Sequence, residues 1–396
     1  MEKLYYKNQY LKEFSARVLK VEKVNDEYHV VLDKTAFFPG GGGQLCDLGY
    51  IDNKKVLKVY ENNKTIYHVL DGEVNTGSNV LCSIDWDRRE DGMHQHLGQH
   101  ILSGCFYKLF NANTVSIHLG KEISTVDIVG VLNEEKIREA ESFANEVIRN
   151  NIDVEFLVPS NEELSSINLR RDLPNTEDEI RVVKIGNLDI NACCGVHPSK
   201  TSDLKMIKIK KFEKNKGNTR IEFLAGNRAI KDSLNKDNIL REICSYLSSN
   251  EEEALSGIKN IKALLEEVKI EKKKLEEELL NYEARSLLEN NNSNKIIIKN
   301  IFKDKSVEYV TKLANRLCER ENIVCLFAIN NKEKSNIILA SSKNIDNLNM
   351  GEIFREFSNI VNGKGGGSKN LAQGIAKENN IEEFLNKIYE FCCNRM

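Results

Sequence analysis

The sequence predicts an α+β protein in four parts: a β-barrel-like N-terminal module over 1–90, a mixed α+β block over 91–235, a long helical, coiled-coil arm over 236–290, and a C-terminal α/β domain over 295–396. Three observations predict this. Strand-length apolar or alternating runs fill the first part. Helical and strand patterns alternate through the second and fourth. Between them, apolar residues recur at near-heptad spacing with charges of both signs elsewhere.

In the first part, Arg17–Val21, Tyr28–Leu32, Lys55–Tyr60 and Thr65–Leu70 read as strands. Between the second and third lies Thr35-Ala36-Phe37-Phe38-Pro39-Gly40-Gly41-Gly42-Gly43-Gln44. Four glycines permit positive φ and close backbone approach. No Gly-Lys-Ser/Thr follows, so this is not a phosphate-binding P-loop. His29 and His68 fall in alternating strands and read as ordinary strand residues.

The second part opens on a helix with His96 and His100 one turn apart on one face. Leu97, Ile101, Leu102, Cys105, Phe106 and Leu109 recur at helical spacing around them. Two imidazoles are half of a metal site, and without the glutamate of the zincin pattern they do not indicate a metalloprotease. Strands are expected at Thr114–Leu119, Ser124–Val129, Val154–Val158 and Ile180–Ile185, with an amphipathic helix over Glu134–Asn150. Then Cys193 and His197 repeat the four-residue spacing, and Cys194 is a competing thiol. Three imidazoles and one thiolate form a borderline-soft donor set that suits zinc. The run 205–216 carries six lysines against Glu213, and Ile207, Ile209 and Phe212 alternate with them. It reads either as a strand with one basic face for phosphates or as a lysine-guarded edge.

In the arm, Ala254, Ile258, Ile261, Leu265, Val268, Leu275, Leu279 and Tyr282 keep the heptad, with Lys272 interrupting. A polar linker is expected over 289–294. In the fourth part, strands are expected near 295–302, 323–329 and 337–340, with helices over 307–320 and 350–362. A glycine run, Gly365-Gly366-Gly367, flanked by Lys364 and Lys369, reads as a loop before a helix whose N–H groups could face an anion.

The net charge of −3 excludes global basicity, so any nucleic-acid contact must come from a local patch. Ten cysteines without small-domain disulfide spacing suit a reducing compartment. Met1–Phe14 has no apolar signal core and no run reaches membrane-spanning length, so cytoplasmic residence is expected and no membrane partner.

These pieces, in this order, resemble the alanyl-tRNA editing proteins in their long form with a C-terminal DHHA1-type domain. The resemblance rests on the Phe-Phe-Pro-Gly-Gly-Gly-Gly-Gln loop, the HxxxH and CxxxH pairs, the run Lys216–Phe223, and Gly365-Gly366-Gly367 with Ala372-Gln373-Gly374. It makes 91–235 a zinc-containing editing domain and implies an aminoacyl-tRNA hydrolase, a carboxylic ester hydrolase. The substrate it implies is alanine tRNA mischarged with serine, or with glycine. It implies one zinc per chain on His96, His100, Cys193 and His197, with His96 and His100 serving catalysis, and an amino-acid pocket lined by Thr35 and Gln44. RNA contacts are expected from Lys208, Lys210, Lys211, Lys214, Arg220, Lys364 and Lys369, and a homodimer through the arm and C-terminal domain. No aminoacylation domain is expected. Leu97, Gly98, Val196 and Pro198 depart from the family pattern around the ligands. That leaves open an editing hydrolase for another mischarged tRNA and a non-catalytic zinc-dependent tRNA-binding protein.

Overall fold

The computed structural model describes residues 1–173, 179–289, 296–330, 334–377 and 380–396. It divides into two compact units, Met1–Ser245 and Tyr246–Met396.

The first unit has two cores. Six antiparallel strands pair in the order Glu13–Val24, Glu27–Leu32, Thr65–Leu70, Lys54–Asn62, Gly49–Ile51, Asn79–Ile84 and back to the first, closing a barrel. Closure follows from alternation: Phe14, Ala16 and Val18 point inward from the first strand while Glu13, Ser15 and Arg17 face out. Where alternation slips, a bulge restores it; Val56 and Val59 both enter the core because the register shifts between Val56 and Lys58.

The second core surrounds the helix Trp86–Phe110. Asp85 caps it, accepting from the Arg88 N–H at 3.2 Å, and Asn111 ends it at φ 52°. Its residues Met93 to Phe106 are all buried, among them the polar His94, Gln95, His96, Gln99, His100 and Ser103. One side meets a four-stranded antiparallel sheet ordered Ile207–Asn215, Asn218–Ala225, Ser124–Ile128, Thr114–Leu119. The helix Glu134–Arg149 packs beside it, and its far end meets a three-stranded sheet of Val154–Leu157, Val182–Ile185 and Asp189–Ala192. Gly98 lets it approach Ala225, where a Cβ would stand 2.6 Å from the alanine methyl.

In the lysine strand Ile207–Asn215, a register shift between Ile209 and Lys211 is what turns Phe212 to the same side as Ile207 and Ile209. The helix after the sheet begins at Asn227 and ends at Leu247. The arm expected over 236–290 is two helices, the second being Ala254–Glu289, and Ser248 at φ 50° lies in the break. Of the linker expected at 289–294, Glu289 ends the helix and the rest lies outside the described residues.

The second unit carries a five-stranded sheet ordered Ile296–Phe302, Ile323–Ile329, Ser335–Ser341, Leu371–Ala376, Lys364–Gly367. The first pair is parallel and joined through the helix Val307–Cys318; the others are antiparallel. That helix and the last turns of the arm cover one face, and Met350–Phe357 with Ile381–Arg395 cover the other. The glycine run corrects the sequence reading. Lys364–Gly367 is an edge strand, not a loop before a helix. The glycines admit Phe354: Cβ atoms on Gly365 and Gly374 would stand 2.7 and 2.1 Å from its ring.

Among the described residues, no helix is long and apolar enough to cross a membrane.

Candidate metal centre

The HxxxH spacing on the buried middle of the helix sends both imidazoles to one side, and there they meet the turn that follows Asp189–Ala192. His96, His100, Cys193 and His197 place one donor atom each within 4.8 Å of all the others. Cys193 Sγ stands 3.4 Å from His96 Nε2 and 3.7 Å from His197 Nε2. A tetrahedral ion with metal–sulfur near 2.3 Å and metal–nitrogen near 2.05 Å gives an S···N edge of about 3.6 Å. His100 Nε2 is buried with no protein partner, a lone pair without a use unless a cation takes it. The residues therefore fit a metal ion. Cys194, the competing thiol, is exposed and outside the cluster.

The outer ring nitrogens fix the tautomers. His100 Nδ1–H donates to Asp189 Oδ2 at 2.8 Å, and Arg170 Nε holds the other carboxylate oxygen at 2.6 Å. His96 Nδ1–H donates to Gln44 Oε1 at 3.1 Å, and the same oxygen accepts the Val196 N–H at 3.0 Å. Each bond leaves Nε2 facing the cluster. His197 is held by packing instead, its ring 6.3 Å from Phe156.

Charge follows geometry. Burial works to raise the Cys193 thiol, but the three imidazoles overcome it and hold the group well below its ordinary value. Burial opposes charge on His100, yet Asp189 and the Cys193 sulfur push it up to about 9. Burial drives His197 down to about 3.

Gly40–Gly43 form the wall nearest the centre, all four at positive φ between 59° and 142°. A Cβ on Gly42 would lie 3.3 Å from His96 Cε1 and 3.5 Å from Cys194 Sγ, so this wall is bare backbone by necessity. The loop is pinned at its base. Arg89 and Asp47 form a wholly buried ion pair, Arg89 also donates to Ala36 O, and Asp47 accepts the Phe38 N–H. Breaking such a pair costs about 3–5 kcal/mol. Cys193 is half-buried and Cys194, whose sulfur lies against Gly41 and Gly42, is exposed.

The pattern agrees with known proteins. Family models match in three places: tRNA synthetases class II (A) over 3–88, the threonyl and alanyl tRNA synthetase second additional domain over 180–222, and the DHHA1 domain over 293–394. The alanyl-tRNA editing protein AlaX-L of Pyrococcus horikoshii is 31% identical over 94% of this chain and 94% of its own. This chain belongs to the alanyl-tRNA editing protein family. The mouse alanyl-tRNA editing protein Aarsd1 is 30% identical over 90% of this chain and 86% of its own. The alanine–tRNA ligase of Ignicoccus hospitalis is 31% identical over 98% of this chain but only 42% of its own length.

The editing-family chain does not treat its other expected site residues alike. Gln44 touches a ligand histidine. Thr35 is wholly buried, its hydroxyl 2.8 Å from His68 Nε2, and it accepts the Phe37 N–H at 3.1 Å. Most expected RNA-contacting cations already hold carboxylates: Lys208 with Glu141, Lys210 with Asp232, Lys211 with Glu213, Arg220 with Asp127 and Lys369 with Asp346. Lys214 and Lys364 are exposed and form no ion pair among the described residues. Sequence reasoning passed over Asp189 and Arg170, although a carboxylate four residues before a ligand cysteine was a usable signal. It also took His68 for an ordinary strand residue.

Proposed function

We propose that this protein is a trans-editing hydrolase that removes serine, and secondarily glycine, from mischarged alanine tRNA at a zinc site formed by His96, His100, Cys193 and His197. The observation that carries the reading is the convergence of these four donors beside a side-chain-free glycine wall, in a chain of the editing family. One thiolate and three imidazoles are a borderline-soft set that favours zinc over harder cations. Zinc in such a set supplies electrostatic stabilisation for a developing oxyanion, or a more acidic water.

The chain's own residues supply the geometry. Asp189 and Gln44 hold the ligand imidazoles in the tautomer that frees Nε2. Gly41 and Gly42 bring bare backbone close to His96 and Cys194, with no side chain between loop and cluster. Water attacks the ester carbonyl, the acyl–oxygen bond breaks, and the tRNA ribose leaves with a proton as its hydroxyl. Thr35 reads the serine hydroxyl. His68 Nδ1–H is committed to Val30 O, so its bare Nε2 accepts the Thr35 proton, and the threonine oxygen faces a substrate as an acceptor. Because Thr35 is buried, contact with it requires the adjacent glycine loop to shift. Reading the serine hydroxyl favours serine over alanine, which lacks it, and makes glycine, which lacks it too, the slower substrate. The tRNA is gripped by the uncompensated lysines Lys214 and Lys364 and by the DHHA1 domain.

A deacylation panel tests this: alanine tRNA carrying serine, glycine or alanine, with and without a chelator. Serine should be removed fastest and alanine spared, with activity lost to the chelator. The double variant Cys193→Ala/His197→Ala should lose both bound zinc and deacylation. A metal-free double variant that still deacylates at the normal rate would sink the proposal.

A further inference from the structure

The turn carrying Cys193 and His197 belongs to no strand or helix, so its backbone must be held from outside. Cys193 N–H donates to Arg181 C=O at 2.9 Å. The Tyr6 hydroxyl donates to Cys194 O at 2.6 Å. Arg181 Nη1 donates to Gly195 O at 2.7 Å. The Arg181 guanidinium itself lies between two rings, 4.5 Å from the centre of Tyr6 and 4.4 Å from that of Phe156. Phe156 in turn faces His197. On the opposite side of the turn, the Gly195 backbone lies against a ligand, since a Cβ there would stand 2.3 Å from His96 Cε1 and Nδ1.

We propose that Arg181, sandwiched between Tyr6 and Phe156, is a positioning residue that keeps the Cys193–His197 half of the metal centre preformed before any ion arrives. This rests on the metal-site reading above. Arg181 touches no ligand atom; it acts through Gly195 O and through the ring that backs His197. A planar guanidinium stacks on two rings while donating in its own plane, which a lysine ammonium cannot do. Without the clamp, a metal must order the turn as it binds, and affinity falls.

The test measures zinc affinity of the full chain by competition with a chromophoric chelator. Arg181→Lys should weaken zinc binding by about tenfold or more, the range for residues that orient ligands. Tyr6→Phe keeps the stacked ring and loses one hydrogen bond, so it should weaken binding only a few-fold. Melting of metal-free and zinc-bound protein gives the control. A merely structural role for Arg181 would lower both temperatures together and leave the affinity alone. Unchanged zinc affinity in folded Arg181→Lys overturns the proposal, and if that variant does not fold, Phe156→Leu, which removes one ring of the sandwich, decides it by the same measurement. Failure of the wild-type chain to take up zinc would instead overturn the metal site and this inference with it.

Discussion

His68 stands inside the barrel with no exposed surface, its Nδ1 3.1 Å from Val30 O and its Nε2 2.8 Å from the Thr35 hydroxyl. Burial lowers its pKa from 6.5 to about 4. A depressed histidine means the unfolded chain binds the proton first, so the folded state is favoured fully above about pH 6.5 and loses that advantage as pH falls through about 4. With these two values the loss is about 2 kcal/mol by pH 5 and about 3 kcal/mol by pH 4. The perturbation is His68→Gln, which titrates nowhere in this range. Trp86 is the single tryptophan and lies in the first unit beside Tyr10 and Lys12, so its fluorescence in urea follows that unit alone. The variant should be weaker than wild type at pH 7, where it has lost the Val30 bond. Between pH 7 and pH 5 the wild type should then lose about 2 kcal/mol more than the variant does, other histidines cancelling in the difference. Parallel losses in the two proteins would refute the reasoning.

Two further outcomes are expected. Asp189→Asn removes the carboxylate charge that His100 Nδ1–H and Arg170 share, and zinc affinity by chelator competition should fall about 10–100-fold. Lys214→Ala should weaken tRNA binding and make its salt dependence shallower by roughly one unit of slope, whereas Lys210→Ala, whose ammonium already holds Asp232, should change the slope little.

The elements that can be read from the sequence are those whose signal is local. Period-two alternation marks Thr65–Leu70 and Thr114–Leu119, and a four-residue spacing marks each ligand pair. What escapes is set by contacts across the fold. The bulge at Ile209–Lys211 leaves no local trace, yet it decides that Phe212 turns inward. The run Gly365–Gly367 has the composition of a loop, and only the Phe354 ring, brought to it by the fold, explains why it is a strand. The lysine strand looks basic until its partners Glu141 and Asp232, distant in sequence, are in place. Gln44 reads as a pocket residue, and its bonds to His96 and Val196 appear only once barrel and helix meet.

The arm Ala254–Glu289 is expected to pair with a second copy of itself, and its charges choose the direction. Ile258, Ile261, Leu265, Val268, Leu275, Leu279 and Tyr282 are 44–71% exposed, although near its end the helix buries Leu280 and Ala284 in its own unit. The seam is thus a different face from the one the unit uses. With Ile258, Leu265, Lys272 and Leu279 at heptad position a, a parallel pair would set Lys272 against its copy, Glu271 against Glu276, and Glu278 against Glu283. An antiparallel pair instead sets Lys272 against the apolar d positions; with e facing e it brings Lys269 to Glu276 and Lys262 toward Glu283, and with g facing g it sets Glu271 against Glu278, each twice by symmetry. Both opposite-charge pairs compete with contacts inside the chain, where Glu283 holds Lys305, Lys269 holds Glu266 and Glu276 holds Lys272; Lys269–Glu276 is the pair nearer the middle of the arm. Glu276→Lys separates the two directions. It should weaken an antiparallel dimer by about 1–2 kcal/mol over two symmetric pairs, or roughly 5–30-fold in dissociation constant, and Lys269→Glu in the same chain should restore it. The same Glu276→Lys change would strengthen a parallel dimer by relieving its repulsion from Glu271. Sedimentation equilibrium of the three proteins reads the difference, and tighter association of Glu276→Lys, or a monomeric wild type, would refute the antiparallel arm.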